Sequence, residues 1–240
     1  MTQALIKELA RTVGYERLVT DPDQLMAYGY DATMGYRGQP GVVLLAATET
    51  HVSQALEIAI AHGIPCVPRG GATSLSAAAI PPSGSLVIDT NQMRRISYFD
   101  IDRRLATVEP GVVTRDFRAY AARRGLLYAP DPSSEATATI GGNVATNAGG
   151  PYAYKYGVTR DAVVELRVIT PTTGIVELSR GRDDVVIDII IGSEGTLGIV
   201  TEIGLQLRAM PPSRAVRAAA FPDGPRALHA VAAIINQGVV

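Results

Sequence analysis

Three glycine-bearing loops hold the residues best suited to chemistry: PRGGATSLSAAAI at 68 to 80, GGNVATNAGG at 141 to 150 and GSEGTLGIV at 192 to 200, each after an apolar run. Small side chains let backbone N–H groups come close to a bulky ligand. A concave set of such N–H groups is an anion nest, and several nests together suit a pyrophosphate. The middle loop extends back through PDPSSEATATI, so that between 130 and 150 only Asp131 and Glu135 are charged and only Ile140 and Val144 are bulky and apolar. No helix or strand period can be read in it. Irregular stretches beyond roughly 12–15 residues in a compact domain are functional loops or linkers. Elements hem this one on both sides and its small residues are clustered, which favours a cradle over a linker.

Other chemistries fit less well. GSEGTLG runs into GIVTEIGLQL, which reads as a strand, whereas a dinucleotide fingerprint opens a helix. No GKS or GKT is present, so there is no P-loop. His51 and His62 lie about 16 Å apart along one expected helix; they cannot share an ion, no metal site is expected, and both read as solvated helix-end residues. GSEGT lacks the serine of a nucleophile elbow. Glu109 in VEPG and Glu194 in GSEG are single carboxylates, read more readily as acceptors that brace loops than as general bases. The one cysteine, Cys66, sits in IPCVP and reads as an inert core thiol.

The elements that must position these loops follow from periodicity. GVVLLAA from residue 41 is an apolar run of strand type. Thr48 or Thr50 can cap a helix with Val52, Ala55, Leu56, Ala59 and Ile60 on one face and Gly63 as its stop. IPCVP and SLVIDT follow as short strands, a βαβ beginning that predicts a parallel sheet. After LATVEPGVV a second helix is expected, with Thr114 as cap, Asp116 in the first turn, Phe117, Tyr120 and Ala121 inward, Arg123 and Arg124 in the last turn and Gly125 as stop. Beyond the long loop, VVELRVIT, GIVELS, VVIDIII and GIVTEIGLQL read as strands joined by short turns. The last stretch reads as a strand over RAVRAAAF, a PDG turn and a helix with Leu228, Val231, Ala232 and Ile235 on one stripe. The whole reads as α+β.

In this order PRGGATSLS, VEPGV, PDPSS, TIGGNVATNAGG, KYG and GSEGTLGIVTE resemble the FAD-linked oxidases of the vanillyl-alcohol oxidase and p-cresol methylhydroxylase type, and most of all the flavin subunit of glycolate oxidase and the D-lactate dehydrogenases. The resemblance covers roughly residues 15 to 207. It implies a two-subdomain FAD-binding fold: a helical lead-in over 1–40, subdomains over 41–104 and 105–207, and the truncated start of an α+β cap domain over 208–240. It also implies that Pro68, Arg69, Gly70, Gly71, Ala72, Thr73 and Ser74 form one wall of an FAD site. Pro130, Ser134, Thr139, Gly141, Gly142, Asn143, Ala145 and Thr146 would form the other, with Gly195, Ile199 and Val200 reaching the flavin or adenine. Where such proteins commonly have glycine, this chain has Ala72, Ala77 and Ala78. If any of these needs positive φ, alanine there costs on the order of 1 kcal/mol. The segment before GSEG is also shorter than usual.

What the resemblance implies for function is the FAD-binding portion of a 2-hydroxy-acid dehydrogenase or oxidase, passing hydride from the substrate carbon to flavin N5, with the catalytic residues in the missing cap. No histidine lies in the first loop, so noncovalent FAD is expected. The expected partners are a small hydroxy acid, an electron acceptor and a partner subunit. The alternatives are a noncatalytic flavin-binding or partner subunit, and an enzyme like the UDP-N-acetylenolpyruvylglucosamine reductase. With 22 basic and 23 acidic side chains in 240 residues and a net charge of −1, the chain has no basic stripe for nucleic acid. The N-terminus lacks the layout of a signal peptide and no run is long enough to span a bilayer. A cytoplasmic location is expected, or a peripheral one at the inner membrane through partners.

Overall fold

In the computed structural model, which describes residues 3–238, Leu5, Leu9 and Val13 recur every four residues and are the buried stripe of helix α1 (Gln3–Val13). Strand β1 (Leu18–Val19) follows, then helix α2 (Pro22–Leu25), whose first turn is capped by the Asp21 carboxylate. Next come β2 (Val42–Leu45), α3 (Glu49–Ala61), β3 (Cys66–Arg69) and β4 (Leu86–Asp89). They form a four-stranded sheet in the order β1-β2-β4-β3. β4 lies parallel to both β2 and β3, as the βαβ pattern predicts, and β1 adds an antiparallel edge. Thr48 is the residue that caps α3, accepting the His51 N–H, and Gly63 follows the helix at φ 64°. Val52, Ala55, Leu56 and Ala59 are buried, but Ile60 is 47% exposed; the helix face is narrower than its apolar residues suggest.

The chain enters a second sheet between Asp89 and Ile96. Strands β5 (Ile96–Asp100) and β6 (Leu105–Val108) form a hairpin, and the boundary expected at residue 104 falls inside it. Helix α4 (Thr114–Ala122) and β7 (Leu126–Leu127) lead to the long loop, from which α5 (Ile140–Thr146), α6 (Ala153–Tyr156) and α7 (Thr159–Ala162) emerge. Then follow β8 (Val163–Thr170), β9 (Gly174–Ser179), α8 (Asp184–Ile190), β10 (Ile199–Gln206) and β11 (Arg208–Ala209). The five-stranded order is β5-β6-β10-β8-β9, antiparallel throughout, while β11 pairs with β7.

Four expectations are corrected here. VVIDIII is not a strand: it forms most of α8, with Ile187 and Ile190 buried and Val185, Val186 and Ile189 facing out, and an unbroken apolar run cannot by itself separate strand from helix. The middle loop is not wholly irregular, since α5 lies within it, capped by the Thr139 hydroxyl and ended by Asn147 at φ 48°. The cap of α4 is Val113; Thr114 lies inside the helix, buried, and its hydroxyl takes a hydrogen bond from the Asn143 amide at 2.9 Å. Residues 214–221 form no strand.

Contacts divide the chain into residues 1–209 and 210–240. In the second unit, Asp223 caps helix α9 (Gly224–Asn236), and Leu228, Val231, Ala232 and Ile235 are exposed. A strand in so short a unit has no ladder to join, which explains its absence. The first unit has two apolar cores, one per sheet. The core of the first sheet also takes in Ile169 of β8 and Ile199 of β10. Glu49, at the start of α3, reinforces this crossing: its carboxylate accepts the Thr201 hydroxyl at 2.7 Å and pairs with Arg167 at 2.8 Å. Among the described residues no helix is long and apolar enough to cross a membrane.

Candidate functional site

The three glycine-bearing loops meet around one cleft of about 650 Å³, within the range of roughly 300–1,000 Å³ that ligand sites occupy. Pro68, Arg69, Gly70, Gly71, Ala72, Thr73 and Ser74 line it from the first loop; Ser134, Thr139, Gly141, Gly142, Asn143, Ala145 and Thr146 from the second; and Gly195, Ile199 and Val200 from the third. Pro130 is buried and does not line it. The cleft also takes in Thr90, Pro110, Gly149, Gly150, Ile190 and Glu194. Pro110 and Glu194 stand in motifs the sequence singles out. Ile190 carries no such signal, because α8 is hidden in a run that reads as strand.

The glycines are where they are because the loops meet with no room for a side chain between them. A Cβ on Gly71 would run into the carbonyl of Thr137, one on Gly70 into the Thr139 hydroxyl, and one on Gly195 into the Pro68 ring. On Gly141 it would stand 2.5 Å from Pro110 Cβ. Two glycines inside α5 cost roughly 1 kcal/mol each in helix propensity, and the approach of Pro110 explains the first. Gly142 is different: a Cβ there would meet only the Thr139 hydroxyl, at 3.2 Å. Most of these glycines therefore let the loops pack on one another, and Gly142 leaves space on the cleft side.

Arg69 and Glu194 are the only charged side chains that line the cleft among the described residues, and both are engaged. The Arg69 guanidinium is buried and donates to the carbonyls of Ala27, Tyr28, Tyr30 and Ala79 at 2.9–3.4 Å. Burial pulls it below its ordinary value, with Asp89 opposing. It holds the N-terminal segment against the first loop. Glu194 takes the Ser76 hydroxyl at 2.6 Å. Glu109 accepts the Arg95 N–H at 2.7 Å and its Nε at 2.9 Å, and so braces the turn ahead of β5. Both carboxylates act as braces, as expected. His51 accepts the Ala47 N–H through Nδ1, and His62 meets Glu8 at 2.9 Å on the surface.

With side-chain charge committed, the cleft's means of meeting an anion is its backbone. Among the described residues, no protein oxygen accepts a hydrogen bond from the N–H of Gly71, Ala72, Thr73 or Ser74. These residues are half-buried, and a lining run of four N–H groups without protein partners suits a ligand rich in acceptor oxygens. The apolar ends of β10, Ile199 and Val200, offer a flat surface for a ring. The loop holding these N–H groups is strained: Ala72 has φ 51° and Ala77 φ 62°, whereas Ala78 is not left-handed.

A two-sheet α+β fold with three interlocked small-residue loops around an anion cradle defines a class of nucleotide-cofactor proteins. The chain belongs to the FAD-binding domain family, whose model matches residues 40–179. It is 35% identical to the glycolate oxidase subunit GlcD of Bacillus subtilis (strain 168), over 100% of this chain and 52% of that protein. It is 36% identical to the D-2-hydroxyglutarate dehydrogenase of Stutzerimonas stutzeri (strain A1501), over 92% of this chain and 48% of the relative. The mitochondrial D-lactate dehydrogenase [cytochrome] of Arabidopsis thaliana is 33% identical over 98% of this chain and 42% of its own length. The chain thus spans about half the length of the curated relatives it matches. A solved structure of alkyldihydroxyacetonephosphate synthase shares the fold, with a TM-score of 0.88 at 24% identity, over 100% of this chain and 46% of that one. The unpaired N–H groups and the open side of Gly142 are features that the family's cofactor could use.

Proposed function

We propose that this chain is the FAD-binding portion of a flavin-dependent 2-hydroxy-acid dehydrogenase or oxidase, and that it holds FAD noncovalently in the cleft. The observation that carries the reading is the run of unpaired N–H groups from Gly71 to Ser74 in a cleft with no uncommitted charge. These groups would take the pyrophosphate oxygens. Gly142 leaves room for close approach, and Ile199 and Val200 exclude water from a ring laid against them. FAD supplies the hydride acceptor for a hydroxy-acid carbon. Noncovalent binding follows from the lining: among the described residues, no His, Cys, Tyr or Lys reaches the cleft to form a bond. The relatives named above act on glycolate-, lactate- and hydroxyglutarate-type acids by their names, which supports this substrate class. We assign orientation of the substrate and uptake of its hydroxyl proton to the part those relatives have in addition, and we place the protein in the cytoplasm.

The test is the absorption spectrum of the purified protein after incubation with FAD and removal of the excess. A flavin band that stays with the folded chain, and moves to the supernatant on acid denaturation, supports the reading. Colour left in the precipitate would overturn noncovalent binding. A chain that never retains flavin would point to a partner subunit without cofactor. Reduction of bound flavin by NADPH would point to the peptidoglycan-precursor reductase.

A further inference from the structure

The first loop is held from two sides. On the side of the N-terminal segment, the Thr33 hydroxyl accepts the Ala77 N–H at 2.8 Å and donates to the Ser74 carbonyl at 3.4 Å, and Asp31 accepts the Ala79 N–H at 3.4 Å. On the side of the third loop there is one contact of this kind. Ser76 Oγ donates to Glu194 Oε1 at 2.6 Å, joining residues 118 apart in the chain. Among the described residues it is the sole side-chain hydrogen bond between these two loops, and it lies at the exposed rim of the cleft. The backbone beside it is left-handed on both sides, with φ 62° at Ala77 and φ 56° at Glu194. Non-glycine residues persist in that region where surrounding contacts hold them there.

The rest of the wall has no comparable freedom. Gly71 is pressed on the backbone at Thr137 and Gly195 on Pro68, and the two sheets are tied through Glu49. We propose that Ser76 and Glu194 form a catch that closes the first loop onto the third, and that its opening sets the rate at which the cofactor enters and leaves. This rests on the FAD reading of the cleft. Thr33 and Asp31 serve as the fixed post about which the lip between Ser74 and Ala77 moves. Ser76 and Glu194 are thus positioning residues.

The test compares Ser76→Ala, Glu194→Ala, the double variant and Glu194→Gln with the parent protein. FAD release is followed as free-flavin fluorescence after dilution of the loaded protein, and uptake by mixing the apoprotein with FAD. A contact to a charged group is weakened where solvent screens it, so each alanine variant should speed both release and uptake by roughly three- to tenfold. The double variant should match the singles, because the second change has nothing left to break. Glu194→Gln keeps an acceptor oxygen for Ser76 and should stay within about twofold of the parent. Unchanged rates in both alanine variants would overturn the catch. So would effects that multiply in the double variant, which would mean that Glu194 acts on the ligand directly. A parent chain that retains no FAD would overturn the cofactor reading, and the catch with it; retention with unaltered variant rates would remove the catch alone.

Discussion

Ala72 and Ala77 sit at φ 51° and 62°, where an L side chain costs roughly 1–2 kcal/mol. Glycine removes that strain but raises the entropy of the unfolded chain by about 0.4–1 kcal/mol. The difference favours glycine, so Ala72→Gly should stabilise the protein by about 0.5–1 kcal/mol, read as a higher urea midpoint with unchanged slope. A lower midpoint would mean that the alanine methyl packs usefully. The glycines offer a sharper contrast. Gly142→Val places its branch in the open side of the cleft, so flavin retention should fall sharply while thermal unfolding stays close to that of the parent. Gly71→Ala drives a methyl into the Thr137 carbonyl and should cost about 1–3 kcal/mol of stability by overpacking. Unchanged flavin retention in Gly142→Val would leave that position a helix residue without a ligand role. The presence of these glycines and the small-residue character of the loops were legible in the sequence. Their immediate reason was not, because the atoms that press on Gly70 and Gly71 belong to residues nearly seventy positions later.

The elements that declare a period were read correctly. Thr48, the stripe on α3 and Gly63 specify a helix by cap, face and stop, and the apolar runs of β8 and β10 are legible as strands, while their antiparallel pairing is seen only in the structure. Two of the helices that the sequence hides, α5 and α8, lack such marks. α5 shows only Ile140 and Val144 as an apolar pair one turn apart, around glycines of which Gly141 is pressed on Pro110, so its period is too short to read. α8 is an apolar run whose exposed half, Val185, Val186 and Ile189, is as greasy as its buried half. The strand carrying Cys66 was legible, and its surroundings allow a prediction. β3 is the edge of the first sheet, Cys66 is half-buried against Ile64, and burial pushes its thiol up to about 11. Only the thiolate attacks an alkylating agent. At pH 8 the native protein should therefore react with iodoacetamide roughly a hundredfold more slowly than the unfolded chain, whose thiol titrates near 8.5. Equal rates before and after unfolding would show that the edge strand leaves the thiol in water.

For the whole molecule, the near-neutral composition and the ordered set of motifs were enough to identify the α+β class and the three loops of the cleft, whereas the way the two sheets interlock depends on residues far apart in the chain. The cleft has a consequence for activity. Among the described residues its one carboxylate is engaged by Ser76 and its arginine by four carbonyls, so no charged side chain described there is free to take a hydroxyl proton. Correct orientation of reactants supplies roughly 7–11 kcal/mol of barrier lowering, and nothing in the cleft supplies it. The FAD-loaded chain mixed anaerobically with millimolar D-lactate or glycolate should leave the flavin band intact, whereas rapid, substrate-specific bleaching would place the substrate residues within this chain. The crossing of Ile169 and Ile199 into the core of the other sheet has a different consequence. The second sheet cannot unravel without taking Ile169 and Ile199 out of the core of the first, so residues 3–209 should melt as one cooperative unit. Two native probes report on the two halves: the thiol of Cys66 on the first sheet, and the part of the near-ultraviolet dichroism that a Tyr128→Phe variant loses, Tyr128 being buried in the core of the second. Their denaturation curves should superimpose, and separate midpoints would mean that the shared strands join the two halves without coupling them.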